Sequence, residues 1–570
     1  MWEVGVFSVR RRKRLFFTGV LAGMAGLALV GRLAWIQLAM GPQLAAAALA
    51  QVSRSVPLEA VPRGGILDDN LVPLTGEYRA DRLVVFPDLV AHPVADAAVL
   101  APLLKVDPEV LARDLAGAPH VLTYPVDRSV RQAVGGLNDP GLKVDRVTYR
   151  DGPDALAVHL TGYLGPPENQ AEAAGVAPGG DLVGLSGLER YYNQDLEDGT
   201  ARRYAREFID ADGRPLGVVD TRDADPGRRN VVLTIDSGVQ ATVERIMDKD
   251  VPKGAVVVLD AATGDVLAMA SRPTFQPDRV GDYLGSPAAG NVFVNRALAL
   301  YPPGSVFKIA VAAAALNEGV ATPHTLFFDR GARATPVPDW YKPGFGLIDF
   351  NHAFAESVNP FFAKLGLELG AGRLIGYAER FGLADQSPAG YRVPADARQN
   401  WSLVAAPDNL VNSSIGQGPV LVSPLQVAAM TEAVVNKGVY VQPRLVKAVV
   451  RDDGRVVETP ARVPASRVIG LPADRELLAM MRLVTTSGTG RDADVPGWGS
   501  AGKTGTAQTG TEGTPDDAWF AGFAPWPNAR YVAVVLVQGG TDGGVDAGSV
   551  FRLLMESLLN GKEGAKLLTQ

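Results

Sequence analysis

The sequence predicts an α+β protein held behind one membrane-spanning helix, and three observations predict it. Five consecutive cations, Arg10 to Arg14, precede a long uncharged apolar stretch. From Val56 to about Arg222, short apolar runs alternate with Gly and Pro, as in Arg63-Gly64-Gly65-Ile66. Beyond residue 230, strand-like runs stand at both ends of the region and helical patterns fill the middle.

The first observation sets the expected topology. Leu15 to Gly31 carries no charge, and the apolar run resumes after Arg32 to reach Met40. A membrane helix needs roughly 20 residues, so Leu15 to about Ile36 suffices if Arg32 snorkels to the outer headgroups. Cations stay on the cytoplasmic side. Residues 1–14 therefore read as a basic cytoplasmic tail, 15–40 as an anchor in the lipid bilayer, and the remainder as extracytoplasmic. A cleaved signal peptide competes, with Ala48-Leu49-Ala50 as its A-x-A site. The apolar stretch is longer than the roughly 7–15 residues of a signal core, which favours the anchor.

The second and third observations divide the remaining chain. Residues 41–225 read as a mixed, mostly β domain. Thr221 to Arg229, with Asp225-Pro226-Gly227 inside, has the turn chemistry of a linker. A second domain then spans 230–562. It opens with Val231–Ile235, and Ala255–Leu259 forms a hairpin with Val266–Met269 through Thr263-Gly264-Asp265. Helical patterns cover Ser305 to Leu383, Pro424 to Lys437 and Asp474 to Thr486. Strands return at Trp519–Ala524 and Tyr531–Val537, and an amphipathic helix covers Ser549–Leu559. Strands at both ends predict a sheet assembled from the two ends, with a helical block against it.

Composition excludes several classes of function. A chain of 570 residues with 63 Gly and 41 Pro reads as two to four globular domains. Its net charge of −7 offers no broad basic surface, so no nucleic-acid partner is expected. The chain has no cysteine, which removes disulfide scaffolds, thiolate nucleophiles and cysteine-based zinc sites. No two of the five histidines stand at the i, i+4 spacing of paired metal ligands, so neither metal nor cofactor is expected.

The nucleophile must then be an oxygen or an amine, and Ser305-Val306-Phe307-Lys308 supplies both after the helix-starting Pro302-Pro303-Gly304. Residues i and i+3 share a helical face, which sets Lys308 beside Ser305. Lysine can act as a base only when burial or a second cation lowers its pKa. Lys503-Thr504-Gly505-Thr506 offers that cation, hydroxyls for a substrate carboxylate, and a glycine where another backbone can approach closely. The amides of Ser305 and Thr506 would form the oxyanion hole. Ser357-Val358-Asn359 completes the set: Ser357 to relay a proton, Asn359 to bind a substrate carbonyl and hold Lys308. Each motif alone is ordinarily a helical pair, a cap or a turn. Trp340 and Tyr341, in a Pro- and Gly-bearing loop, read as local packing rather than cleft lining. His352 and Glu356 are not needed as acid–base partners, because the motifs already supply them.

Together and in this order the three motifs are the signature of penicillin-binding proteins and class A β-lactamases. With Gly254 to Met269, Gly416-Gln417-Gly418, Ser423 to Gln426 and Trp519 to Pro525, the chain resembles a class B penicillin-binding protein over nearly its whole length. Arg63 to Asp68 and Gly184 to Glu189 resemble pieces of that family's pedestal domain. The resemblance implies a serine β-lactamase-like catalytic fold and a peptidoglycan D,D-transpeptidase. Ser305 would attack stem peptides ending in D-Ala-D-Ala, β-lactams would trap it, and a polytopic membrane glycosyltransferase would be the partner. Asp69 and Leu71 depart from the family's pedestal pattern, where Arg and Gly are usual, and Asp517 stands where the family often has a histidine before Ala518-Trp519-Phe520. The rival readings are a D,D-carboxypeptidase or β-lactam hydrolase, whose motifs are the same, and a scaffold without turnover.

Overall fold

Alternation in the valine-rich runs sorts their side chains onto the two faces of one sheet. Within Gly254–Asp260 (β1), Val257 and Leu259 join one buried cluster, and Val256 and Val258 join another. A strand's period of two requires this separation. β1 belongs to a five-stranded antiparallel sheet with β2 (Val266–Arg272), β3 (Ala501–Ala507), β4 (Asp516–Ala524) and β5 (Tyr531–Gly540). The order is β2-β1-β5-β4-β3, so strands from both ends of the region do meet in one sheet, with β3 at its edge.

Helices α1 (Ser237–Asp250) and α7 (Gly548–Asn560) bury Val243, Met247, Phe551 and Leu554 against one face. The helical block packed into the other cluster comprises α2 (Lys308–Asn317), α3 (Phe350–Ala355), α4 (Asn359–Leu369), α5 (Pro424–Val435) and α6 (Leu471–Thr486). α2 is apolar around its whole circumference after Lys308, and Ile309 to Ala315 have no exposed surface. Such a helix belongs at the centre of a core.

This computed structural model describes residues 3–41, 44, 48, 51–167, 182–197, 201–223, 227–284, 291–394, 399–509 and 515–561. The helix-prone stretch Ala45–Ala50 lies mostly outside the described residues, as do the middle of the expected linker and residue 562. The chain divides into two units, one of residues 61–78, 149–200 and 225–570, the other of 1–60, 79–148 and 201–224.

The larger unit holds this five-stranded sheet and the two stretches that resemble pedestal motifs. Arg63 Nε donates to Glu189 Oε2 at 2.7 Å, and its Nη2 donates to the Glu189 carbonyl at 3.0 Å and to Asn193 Oδ1 at 2.8 Å. Both charged side chains are buried, and Arg150 pairs with the other oxygen of Glu189, so two arginines share this one buried carboxylate. Ile66–Leu67 then pairs in parallel with Arg229–Leu233, beside Val446–Arg451. Asp69 pairs with Lys447, and Leu71 has φ +64°.

The smaller unit contains an antiparallel sheet of Ser53–Pro57, Arg203–Ile209 and Pro215–Asp223. A second sheet, His120–Leu122, Tyr78–Val85 and Leu142–Tyr149, is covered by helices Pro93–Leu104, Pro108–Asp114 and Arg128–Leu137. Helices therefore share this region with the expected strands. At the N-terminus, Glu3–Trp35 is helical, and Arg14–Leu38 is long and apolar enough to cross a membrane, with none of it buried.

Candidate active site

The Pro302-Pro303-Gly304 hinge gives way to a 3-10 turn, Gly304–Phe307, which runs directly into α2 at Lys308. Gly304 has φ +55°, and a Cβ there would stand 2.7 Å from the Thr506 carbonyl of β3. Gly416 approaches from the other side with φ +76°, and a Cβ on it would meet the Gly304 carbonyl at 1.8 Å. Glycine is required at both positions, because the backbone is left-handed and no side chain fits. The turn that carries Ser305 is thus packed directly between β3 and the Gly416 loop.

Ser305, Ser357, Asn359, Thr504, Gly505 and Thr506 all line one cleft of about 470 Å³. Lys308 and Lys503 lie beneath them with no exposed surface. Residues of all three motifs, separated by up to about two hundred positions, are therefore brought to one cleft.

Lys308 Nζ donates to the Ser357 carbonyl at 2.7 Å, to Asn359 Oδ1 at 2.7 Å and to Ser357 Oγ at 3.2 Å. Its burial, together with the positive charge of Lys503, holds the pKa of Lys308 well below that of free lysine. Lys503 donates to the Thr504 carbonyl at 3.2 Å. Burial draws its pKa down to about 7, against an opposing pull from Glu356. Thr504 Oγ1 is 2.6 Å from Thr489 Oγ1, and the Gly543 N–H donates to Thr506 Oγ1 at 3.3 Å. The second motif is itself strained: Ser357 has φ +58° in the short turn between α3 and α4.

Other candidates are placed differently from one another. Trp340 packs against Tyr341 and Phe345, at centroid distances of 5.9 and 6.0 Å, and also lines the cleft, 54% exposed, with its indole N–H donating to the Glu356 carbonyl at 2.9 Å. Tyr341 packs against Phe345 at a centroid distance of 4.7 Å. His352 is exposed and bonded to Asp349 at 2.6 Å, and neither it nor Glu356 lines the cleft. Asp517 is buried, opposite Ala507 in the sheet.

Sequence reasoning missed Asn412 and Thr489, which line the cleft, and Asp339, whose carboxylate accepts from the Asn359 N–H at 2.9 Å. Thr489 follows a glycine at the end of α6, a signal that could have been read as a return toward the sheet. Asp339 had no signal beyond its place in a Pro-rich loop.

The model of the penicillin-binding protein transpeptidase domain matches residues 254–556, and that of the penicillin-binding protein dimerisation domain matches 58–233. Stage V sporulation protein D of Bacillus subtilis (strain 168) is 29% identical, over 96% of this chain and 86% of its own length. Peptidoglycan D,D-transpeptidase MrdA of Haemophilus influenzae is 30% identical, over 75% of this chain and 72% of its own. Among solved structures, a chain from "Structural coordination of polymerization and crosslinking by a peptidoglycan synthase complex" superposes with a TM-score of 0.68 at 25% identity, covering 95% of this chain and 98% of that one. With a transpeptidase-domain match across more than half its length and the three motifs gathered in one cleft, this chain belongs to the penicillin-binding protein transpeptidase family.

Proposed function

We propose that this chain is a membrane-anchored peptidoglycan D,D-transpeptidase that cross-links stem peptides through an acyl-enzyme on Ser305. The observation that carries the mechanism is the environment of Lys308. A neutral amine has two N–H bonds and one lone pair, and two acceptors stand 2.7 Å from Nζ, the Ser357 carbonyl and Asn359 Oδ1. With both N–H bonds engaged there, the lone pair can accept a proton, from Ser357 Oγ at 3.2 Å or, during acylation, from the Ser305 hydroxyl. Burial and Lys503 keep the amine neutral enough to do so.

Ser305 Oγ then adds to the penultimate D-Ala carbonyl, whose oxygen gathers negative charge between the amides of Ser305 and Thr506. Gly304 brings those two backbones into contact. Each such donor is typically worth about 10² to 10³ in rate. Lys503 and Thr504 hold the terminal carboxylate, while Gly505 leaves room for the substrate backbone. The proton passes from Lys308 through Ser357 Oγ to the departing D-Ala nitrogen as the C–N bond breaks. An amine from a second stem peptide follows the same path in reverse: it loses its proton toward Ser357 and Lys308, attacks the ester, and Ser305 Oγ leaves with the proton restored.

β-Lactams acylate Ser305 in this reading. Related solved structures support it, among them Mycobacterium tuberculosis PBP3 complexed with aztreonam. Residues 41–225 form the pedestal and 230–562 the transpeptidase domain, with the basic tail cytoplasmic and catalysis outside. The partner is a polytopic glycosyltransferase in the same membrane, by analogy with the peptidoglycan synthase complex. Incubating the full-length protein with lipid-linked glycan bearing D-Ala-D-Ala stems, then digesting and separating the muropeptides, should yield cross-linked dimers and free D-Ala. Free D-Ala without dimers would make the enzyme a carboxypeptidase instead.

A further inference from the structure

The Ser357-Val358-Asn359 turn needs support that its own residues do not provide. Ser357 is left-handed at φ +58°, a conformation that is unfavourable for a residue other than glycine. Helix α4 begins at Asn359 with Val358 at its N-cap and no side-chain cap there. Ser, Thr, Asp or Asn ordinarily fills that position and accepts a bond from the first N–H groups.

The loop after Asp329 supplies both supports from two consecutive residues. Asp339 Oδ1 accepts from the Asn359 N–H at 2.9 Å and so caps α4 from a distance in sequence. Trp340 Nε1 donates to the Glu356 carbonyl at 2.9 Å, just before the strained serine. The turn is therefore gripped at both ends. Asp329 closes the loop at its base, accepting from the Gly331 N–H at 2.9 Å and the Phe345 N–H at 2.8 Å.

A structural cap alone does not require this arrangement. Asp339 is 5% exposed, and its Oδ2 has no hydrogen-bond partner among the described residues. Burying a carboxylate with one oxygen unpaired is unfavourable. The fold nevertheless places it one residue contact away from the catalytic amine: Asp339 holds Asn359, and Asn359 holds Lys308.

We infer that Asp339, together with Trp340, is a positioning residue of acylation, keeping the Ser357 carbonyl and Asn359 Oδ1 on Lys308 so that the amine faces Ser305. The inference rests on the acyl-serine reading and adds the device that holds its base in place.

The test measures acylation of the full-length protein in detergent by a fluorescent penicillin over a range of concentrations, which separates the non-covalent Kd from the acylation rate constant. Thermal unfolding is followed in parallel. Asp339→Ala should lower the rate constant about 10- to 100-fold while Kd stays within about threefold, as expected for a small displacement of the base. Asp339→Asn keeps an acceptor oxygen and should restore most of the rate, whereas Trp340→Phe, which keeps a ring and loses the N–H, should fall between them. An unchanged rate constant in Asp339→Ala overturns the inference, as does a loss that Asp339→Asn does not rescue and that tracks the folded fraction. If Asp339→Ala does not fold, the Trp340→Phe rate constant decides: a fall at constant Kd supports the inference, and no fall overturns it. A wild-type protein that never acylates would instead overturn the acyl-serine reading.

Discussion

Two fully buried lysines lie beneath one cleft, and burial lowers the pKa of each. In the proposed reading Lys503 holds the substrate carboxylate with its charge, and burial brings its pKa down to about 7. Acylation by penicillins should therefore decline as pH rises through that value, because deprotonation removes the carboxylate's partner. A penicillin methyl ester, with no carboxylate to hold, should show no such decline in a stopped-flow pH series. Linkage gives a second consequence. Between about 7 and the ordinary lysine value of 10.5, the unfolded chain binds a proton at Lys503 that the folded chain does not. Stability should rise with pH across that window, and Lys503→Met should flatten the slope in urea unfolding. The residues of the three motifs were legible in the sequence because each motif is local, with its members one to three positions apart. Asp339 was not legible, since its bond to Asn359 exists only after the intervening loop folds back.

Elements position these residues through close backbone contact, and glycine geometry is where that shows most directly. Gly416→Ala would drive a Cβ into the Gly304 carbonyl, which stands 1.8 Å from the ideal position, and so displace the turn carrying Ser305. Acylation should fall by about 10², with the unfolding midpoint lowered far less than complete loss of the fold requires. Leu71 presents the opposite case. It is left-handed at φ +64° and 58% exposed, a conformation that glycine adopts without strain. Leu71→Gly should relieve that strain and raise stability by up to about 1 kcal/mol, read as a higher unfolding midpoint. The catalytic sheet was readable from its dense valines and its hairpin turn. The smaller unit's helices were harder to read because their markers are brief. Pro93 and Pro108 sit at first-turn positions, where proline starts a helix, and Asp127 caps the next by accepting from the Ser129 and Val130 N–H groups. Read as turn residues, the same prolines suggest strands.

At the scale of the whole molecule, one apolar helix and a catalytic unit divide the work. Arg14–Leu38 has the length and composition to cross a bilayer, so the full chain should sediment with membranes and remain there in high salt. Protease added to spheroplasts should remove the part beyond residue 40, while everything staying protected would reverse the proposed orientation. The central claim concerns neither the membrane nor the fold but one hydroxyl. Intact-protein mass spectrometry of the full-length protein after incubation with a penicillin, beside Ser305→Ala, tests it most directly. A single adduct of the penicillin's mass, mapping to Ser305 and missing from the variant, is the expected result. An adduct that persists in Ser305→Ala, or a folded wild type that never labels, would contradict it.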